Sequence, residues 1–166
     1  MSRIMGMDMS LRSSGIAVIE SAGSVLKTVE YRVLKNPPSR SVSECLLHVS
    51  RGVLDMVERC RPDAAAIEGI FFCKNFKTAA ALGQARGAAI AAIAAAGVPI
   101  YEYSPRRVKQ AVAGYGSASK EQVKKMIMLL LRLREGPQSD AADALAIAIC
   151  HAHNDKRLQF LNSKQI

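Results

Sequence analysis

No stretch of the sequence is both apolar and long enough to cross a bilayer. The nearest, Gly87 to Ile100, is interrupted by Gly97 and Pro99 and stops well short of the ~20 residues a membrane helix needs. The opening Met-Ser-Arg-Ile-Met-Gly-Met-Asp has no basic patch followed by a long apolar run, so no signal peptide is read there. Cys45, Cys60, Cys73 and Cys150 show none of the paired spacing of a zinc site, and nothing around them suggests secretion. They read as reduced packing residues in a soluble, cytoplasmic protein. Acid is also scarce: 14 Asp and Glu stand against 23 Lys and Arg, a formal charge of +9. That excess suits a polyanionic partner, nucleic acid before an acidic membrane surface. With 166 residues the chain fits one domain with a sizeable core.

Scarce acids draw attention where they do occur. After Gly136-Pro137 a helix is expected, with Ser139 able to cap it, and apolar side chains fall on nearly every face of the run that follows. Its only charges up to Cys150 are Asp140 and Asp143. At a spacing of three their Cβ atoms stand roughly 5–6 Å apart on one face. Two carboxylates so placed repel unless a proton or a cation lies between them. An Asp in a first helical turn can equally cap free N–H groups and complement the helix dipole. Asp8 is the one acid in the apolar run Arg3 to Met9, where it opens a turn or serves as a ligand. Glu68 ends the strand Asp63 to Glu68, either as a solvated strand end or at the edge where ligands of α/β sheets bind. A basic surface around such an acidic centre is the charge layout of a metal-dependent nuclease.

Taken in order, the chain predicts an α/β fold. Arg3–Met9, Ile16–Ile19 and Val25–Leu34 are strands joined by links short enough for an antiparallel meander, with residues 10–15 read as a polar turn. Ser41–Cys60 is an amphipathic helix ended by Pro62. A helix from Thr78 to Ala96 separates the Glu68 strand from Val98–Tyr103, a β-α-β crossover that makes those two strands parallel. Three helices follow, opening at Ser104-Pro105, at Ser119 and near Ser139. The result is a five-stranded mixed sheet with helices on both faces. Asp8, Glu68, Asp140 and Asp143 can converge on it. In the Thr78–Ala96 helix, Gly83, Gly87 and Ala91 leave one face nearly flat, to pack on the sheet or on a second copy. Lys120, Lys124 and Lys125 form a solvated face or a phosphate contact. Residues 1–153 are read as the domain and 154–166 as a polar tail.

The segments Ile4-Met5-Gly6-Met7-Asp8, Ala66-Ile67-Glu68 with Phe71 and Lys74-Asn75, Leu82-Gly83-Gln84-Ala85-Arg86-Gly87, Val108-Lys109-Gln110, Gly116-Ser117-Ala118 with Lys120, and Asp140-Ala141-Ala142-Asp143-Ala144-Leu145-Ala146 run in collinear order. Together they resemble the RuvC family of Holliday junction resolvases, of the ribonuclease H-like fold. The resemblance implies a metal-dependent endonuclease that makes paired symmetric nicks in four-way DNA junctions during recombination and repair. It implies that Asp8, Glu68, Asp140 and Asp143 hold Mg²⁺, two ions per site with Mn²⁺ able to substitute. It further implies that Phe71, Lys74, Lys109 and Lys120 meet DNA, and that Gly83 and Gly87 lie at the interface of a homodimer. A branch-migration motor is the expected protein partner. A ribonuclease H on RNA–DNA hybrids and an inactive junction-binding protein are the rival readings. One departure stands out: where the family has Pro-Gly after its first aspartate, this chain has Met9-Ser10, which puts the backbone of that turn in question.

Overall fold

The computed structural model describes residues 1–70, 75–155 and 164–166. The elements are β1 (Ser2–Asp8), β2 (Ser13–Ala22), β3 (Val25–Lys35), α1 (Val42–Cys60), β4 (Ala64–Glu68), α2 (Phe76–Ala95), β5 (Ile100–Tyr103), α3 (Pro105–Ala113), α4 (Lys120–Leu130), α5 (Ser139–Asp155) and β6 (Lys164–Gln165). They form one sheet in the order β3-β2-β1-β4-β5-β6. The first three strands are the expected antiparallel meander. β1 pairs with β4 and β4 with β5, both parallel. To the expected five strands the polar tail adds a two-residue sixth, antiparallel to β5.

Alternation along the strands sorts their side chains onto two faces. Ile4, Ala17, Ile19, Ala66 and Tyr103 join one buried cluster with α3, α4 and α5. Met5, Met7, Ile16, Val18, Ala65 and Ile67 join a second, with α1 and α2. Caps set the helix starts. Ser41 and Glu44 close a capping box on α1, and Ser119 with Gln122 does the same for α4. Ser104 caps α3 with Pro105 in the first turn, and Gly114 ends it in the left-handed region.

Two local expectations change. Ser13, Ser14 and Gly15 lie in β2 rather than in a turn, pairing with Lys35, Leu34 and Val33 of β3. Small polar residues suit turns, but the β3 ladder claims the whole stretch and β1 pairs with Gly15 as well. Ser139 is the first residue of α5, whose opening bond runs from Ala142 N–H to the Gln138 carbonyl. Asp140 therefore sits inside the first turn.

Candidate metal and nucleic-acid site

Strand parity places the first two acids. Ile4, Gly6 and Asp8 point to the α5 side of β1, as do Ala64, Ala66 and Glu68 on β4. The parallel register aligns Gly6 with Ala66 and Met7 with Ile67. Asp8 and Glu68 thus stand one step further on, at the carboxyl ends of adjacent strands and on one face.

Two glycines bring the other two acids down onto that face. A Cβ on Gly6 would overlap the Ala144 carbonyl oxygen and come within 2.7 Å of the Ala148 nitrogen, and one on Gly15 would overlap the Asp140 carbonyl. No side chain fits between α5 and the sheet at either point. With alanines at 141, 142, 144, 146 and 148, the helix lies directly on β1 and β2. Asp140 and Asp143 then project at the ends of β1 and β4.

Electrostatics show that the four acids share one neighbourhood. Burial, then the charges of Asp143, Glu68 and Asp140, push the Asp8 carboxyl up to about 7. Glu68 is raised in the same sense, chiefly by burial and then by Asp143, with Lys120 and Lys109 opposing. Lys120 Nζ lies 3.1 Å from an Asp143 carboxylate oxygen, and this contact holds its ammonium in the charged form. The Ser13 hydroxyl donates to Asp140 Oδ2. Glu68, Asp143, Lys109, Lys120, Pro105 and Val123 are among the residues that line a cleft of about 260 Å³ here. Behind it, Arg86 of α2 pairs with Glu102, and its Nε donates to the Glu68 carbonyl at 3.4 Å.

The turn carrying Met9-Ser10 is intact. Ser10 Oγ donates to the Ser13 carbonyl at 2.7 Å, and Ser14 Oγ donates to the Ser10 carbonyl at 2.6 Å while accepting from Ser10 N–H. Among the described residues the only non-glycines at positive φ are Arg61 and Arg132, so Ser10 needs none of glycine's freedom. Met9 is buried in the second cluster.

Of the residues singled out in the sequence, Asp8, Glu68, Asp140, Asp143, Lys109 and Lys120 come together. Phe71, with its neighbour Phe72, and Lys74 lie outside the described residues. Gly83 and Gly87 are exposed, and a Cβ on either would meet nothing within 4 Å. The buried side of α2 is Ala85, Ala89, Ala92 and Ile93, so the flat face does not pack on its own sheet. Sequence reasoning passed over Ser13, Gly15 and Arg86. Glycine inside an apolar strand was the available signal for Gly6, and the run Ser13-Ser14-Gly15 hid its partner by resembling a turn.

Residues 4–151 match the family model of "Crossover junction endodeoxyribonuclease RuvC". The chain belongs to the RuvC family. A family member from Chloroflexus aggregans is 48% identical over 158 residues, which cover 95% of this chain and 96% of the relative. One from Geotalea uraniireducens is 45% identical, covering 92% and 89%. Among solved structures, T. thermophilus RuvC in complex with Holliday junction substrate superposes with a TM-score of 0.94 at 34% identity, over the whole of both chains. The fold is therefore the ribonuclease H-like α/β fold of the family.

RuvC-family nucleases depend on divalent metal, and the donor set here suits one. Four oxygen-donor carboxylates, one of them raised to about 7 by burial and then by its three acidic neighbours, form a crowded negative centre that a hard cation relieves. As they stand, no three acidic, histidine or cysteine side chains among the described residues close around a single point. Ser13 and Lys120 each engage one carboxylate instead.

Proposed function

We propose that this chain, a crossover junction endodeoxyribonuclease by family, cuts four-way DNA through Asp8, Glu68, Asp140 and Asp143 acting as ligands of Mg²⁺, two ions per site. The observation that carries this reading is the convergence of three acids, Glu68 from a strand end and Asp140 and Asp143 from one helix, on the buried carboxyl of a fourth, Asp8, whose ionisation they oppose. Divalent ions bound there supply a water acidic enough to ionise near neutral pH and a counter-charge for the leaving oxygen. The rest falls to side chains. Asp8 and Glu68 are fixed by the sheet, and Asp140 and Asp143 by a helix pressed onto glycine, so the ligands are held on rigid elements. Lys109 and Lys120 border the same cleft and offer charge to the phosphates on either side of the cut. Lys120 is well placed for this, since its side chain is 76% exposed and can leave Asp143 for a phosphate.

Opposed nicks in a junction with two-fold symmetry need two such sites, and a C2 dimer supplies them. The exposed Gly83 and Gly87 on α2 favour that helix as the meeting surface. Phe71 is assigned to the junction centre, by stacking on a base, and Lys74 to DNA binding. A branch-migration motor is the proposed protein partner and the cytoplasm the proposed location. Among the described residues no helix is long and apolar enough to cross a membrane.

The deciding experiment compares purified protein on a four-way junction, a plain duplex and an RNA–DNA hybrid, with Mg²⁺ and with chelator, at matched salt. Symmetric nicks in the junction alone, abolished by chelator, are expected. Preferential cutting of the hybrid would move the assignment to a ribonuclease H, and binding without cutting in any metal would mark an inactive junction binder.

A further inference from the structure

Asp140 is held at two points by one strand. Ser13 and Gly15 are two apart on β2 and so share the face on which α5 lies. Gly15 has no Cβ, and the Asp140 carbonyl occupies the space one would fill. Ser13 donates its hydroxyl hydrogen to Asp140 Oδ2. The backbone of Asp140 is therefore set by Gly15 and its carboxylate by Ser13. The strand itself is anchored on both sides, with Asp8 opposite Gly15 on β1 and Lys35 opposite Ser13 on β3.

We propose that Ser13 is a positioning residue for the metal centre: its hydroxyl fixes the Asp140 carboxylate in one rotamer, leaving Oδ1 free of that bond. This rests on the assignment of Asp140 as a metal ligand. A carboxylate with a committed hydrogen bond on one oxygen does not give up rotamer freedom when a cation arrives, so the ion binds more tightly. Neither strand periodicity nor turn chemistry marks Ser13 for this task. Only docking of α5 brings the two residues together.

Mn²⁺ binding to the full chain without DNA, followed by the electron paramagnetic resonance signal of the free ion, reads this directly. Ser13→Val and Ser13→Thr have the same shape and differ in the hydroxyl. Ser13→Val is expected to raise the half-saturating Mn²⁺ concentration about tenfold, the scale of an outer-shell partner. Ser13→Thr should restore the parental value, with circular dichroism and unfolding midpoints alike in the two variants. If Ser13 acts through Asp140, then Ser13→Val adds nothing further in an Asp140→Asn background. An unchanged value in Ser13→Val beside a large rise in Asp140→Asn would overturn the role of Ser13 alone. Unchanged values in both would overturn it together with the metal assignment of α5. Tighter binding in Ser13→Val would show that the hydroxyl competes with the ion, which also overturns the proposal. A common loss in the valine and threonine variants would reduce Ser13 to a packing residue.

Discussion

Two pairs of glycines sit on opposite sides of this molecule and could hardly differ more. Gly6 and Gly15 lie under α5, where backbone atoms of Ala144, Ala148 and Asp140 occupy the space of any side chain. Gly83 and Gly87 lie along α2, where an added side chain meets nothing within 4 Å. The first pair is needed for the chain to pack against itself. The second makes no close packing contact among the described residues, and the proposed dimer would give it one. A glycine in a sequence thus says that a close approach is allowed. Which surface makes the approach is decided elsewhere.

The largest effect should come from filling the inner pair. Gly6→Val is expected to destabilise the fold by about 3 kcal/mol or more, because the obstacle is backbone of a buried helix that cannot swing aside. A urea titration reads it, and a variant within 1 kcal/mol of the parent would show that α5 rides higher on the sheet than described. Asp140→Asn comes next. Asparagine keeps the shape and caps a helix about as well as aspartate, so stability should hold, while junction cleavage in Mg²⁺ falls by more than about 100-fold, beyond what an outer-shell partner costs. Binding to a junction in chelator should be retained or strengthened, since one negative charge has left the path of the phosphate. Parental cleavage by this variant would leave Asp140 a helix-terminus residue.

The inner face should also announce itself through pH. Asp8 is raised from 3.8 in the unfolded chain to about 7 in the fold, and Glu68 shifts the same way. The folded state thus keeps a proton that the unfolded state has already lost. The associated stability is fully present below pH ~4 and is lost as the pH climbs through about 7. In chelator, the unfolding midpoint should therefore fall as the pH rises from about 4 to about 7, and Asp8→Asn should flatten the slope. Saturating Mg²⁺ should flatten it as well, by replacing the proton as the source of relief.

The smallest effect on stability, and of opposite sign, belongs to the outer pair. Gly87→Leu on an exposed helix face should stabilise α2 by about 0.5–1 kcal/mol through propensity alone, yet on the proposed dimer light scattering should report a dimer for the parent and a monomer for the variant. A stable dimer with leucine at 87 would move the interface off this face.

Much of this was legible without coordinates. Asp8 and Glu68 stand out as lone acids closing apolar strands, and their even spacing from Ile4 and Ala66 is what later puts them on one face. The Asp140–Asp143 spacing gave the helix face, and the glycine-rich α2 gave an unusually flat surface. Other features depend on partners that sequence does not reveal. Ser13-Ser14-Gly15 has the composition of a turn, and only pairing with β1 and β3 makes it a strand. The hydroxyl of Ser13 and the carboxylate of Asp140 lie 127 residues apart and meet through packing alone. Strand β6 gains its place from the open edge of β5 rather than from any apolar rhythm of its own. Met9-Ser10 looked like a lost glycine and proved to be a turn closed by serine hydroxyls.

The four acids come from the first strand, the fourth strand and the last helix of the domain. No short fragment carries a working centre, and contacts of such long sequence separation form late in folding. A chain clipped by a protease before α5 holds at most half of the four acids. On the proposed assignment, the ability to cut DNA arrives only once α5 has docked on the sheet.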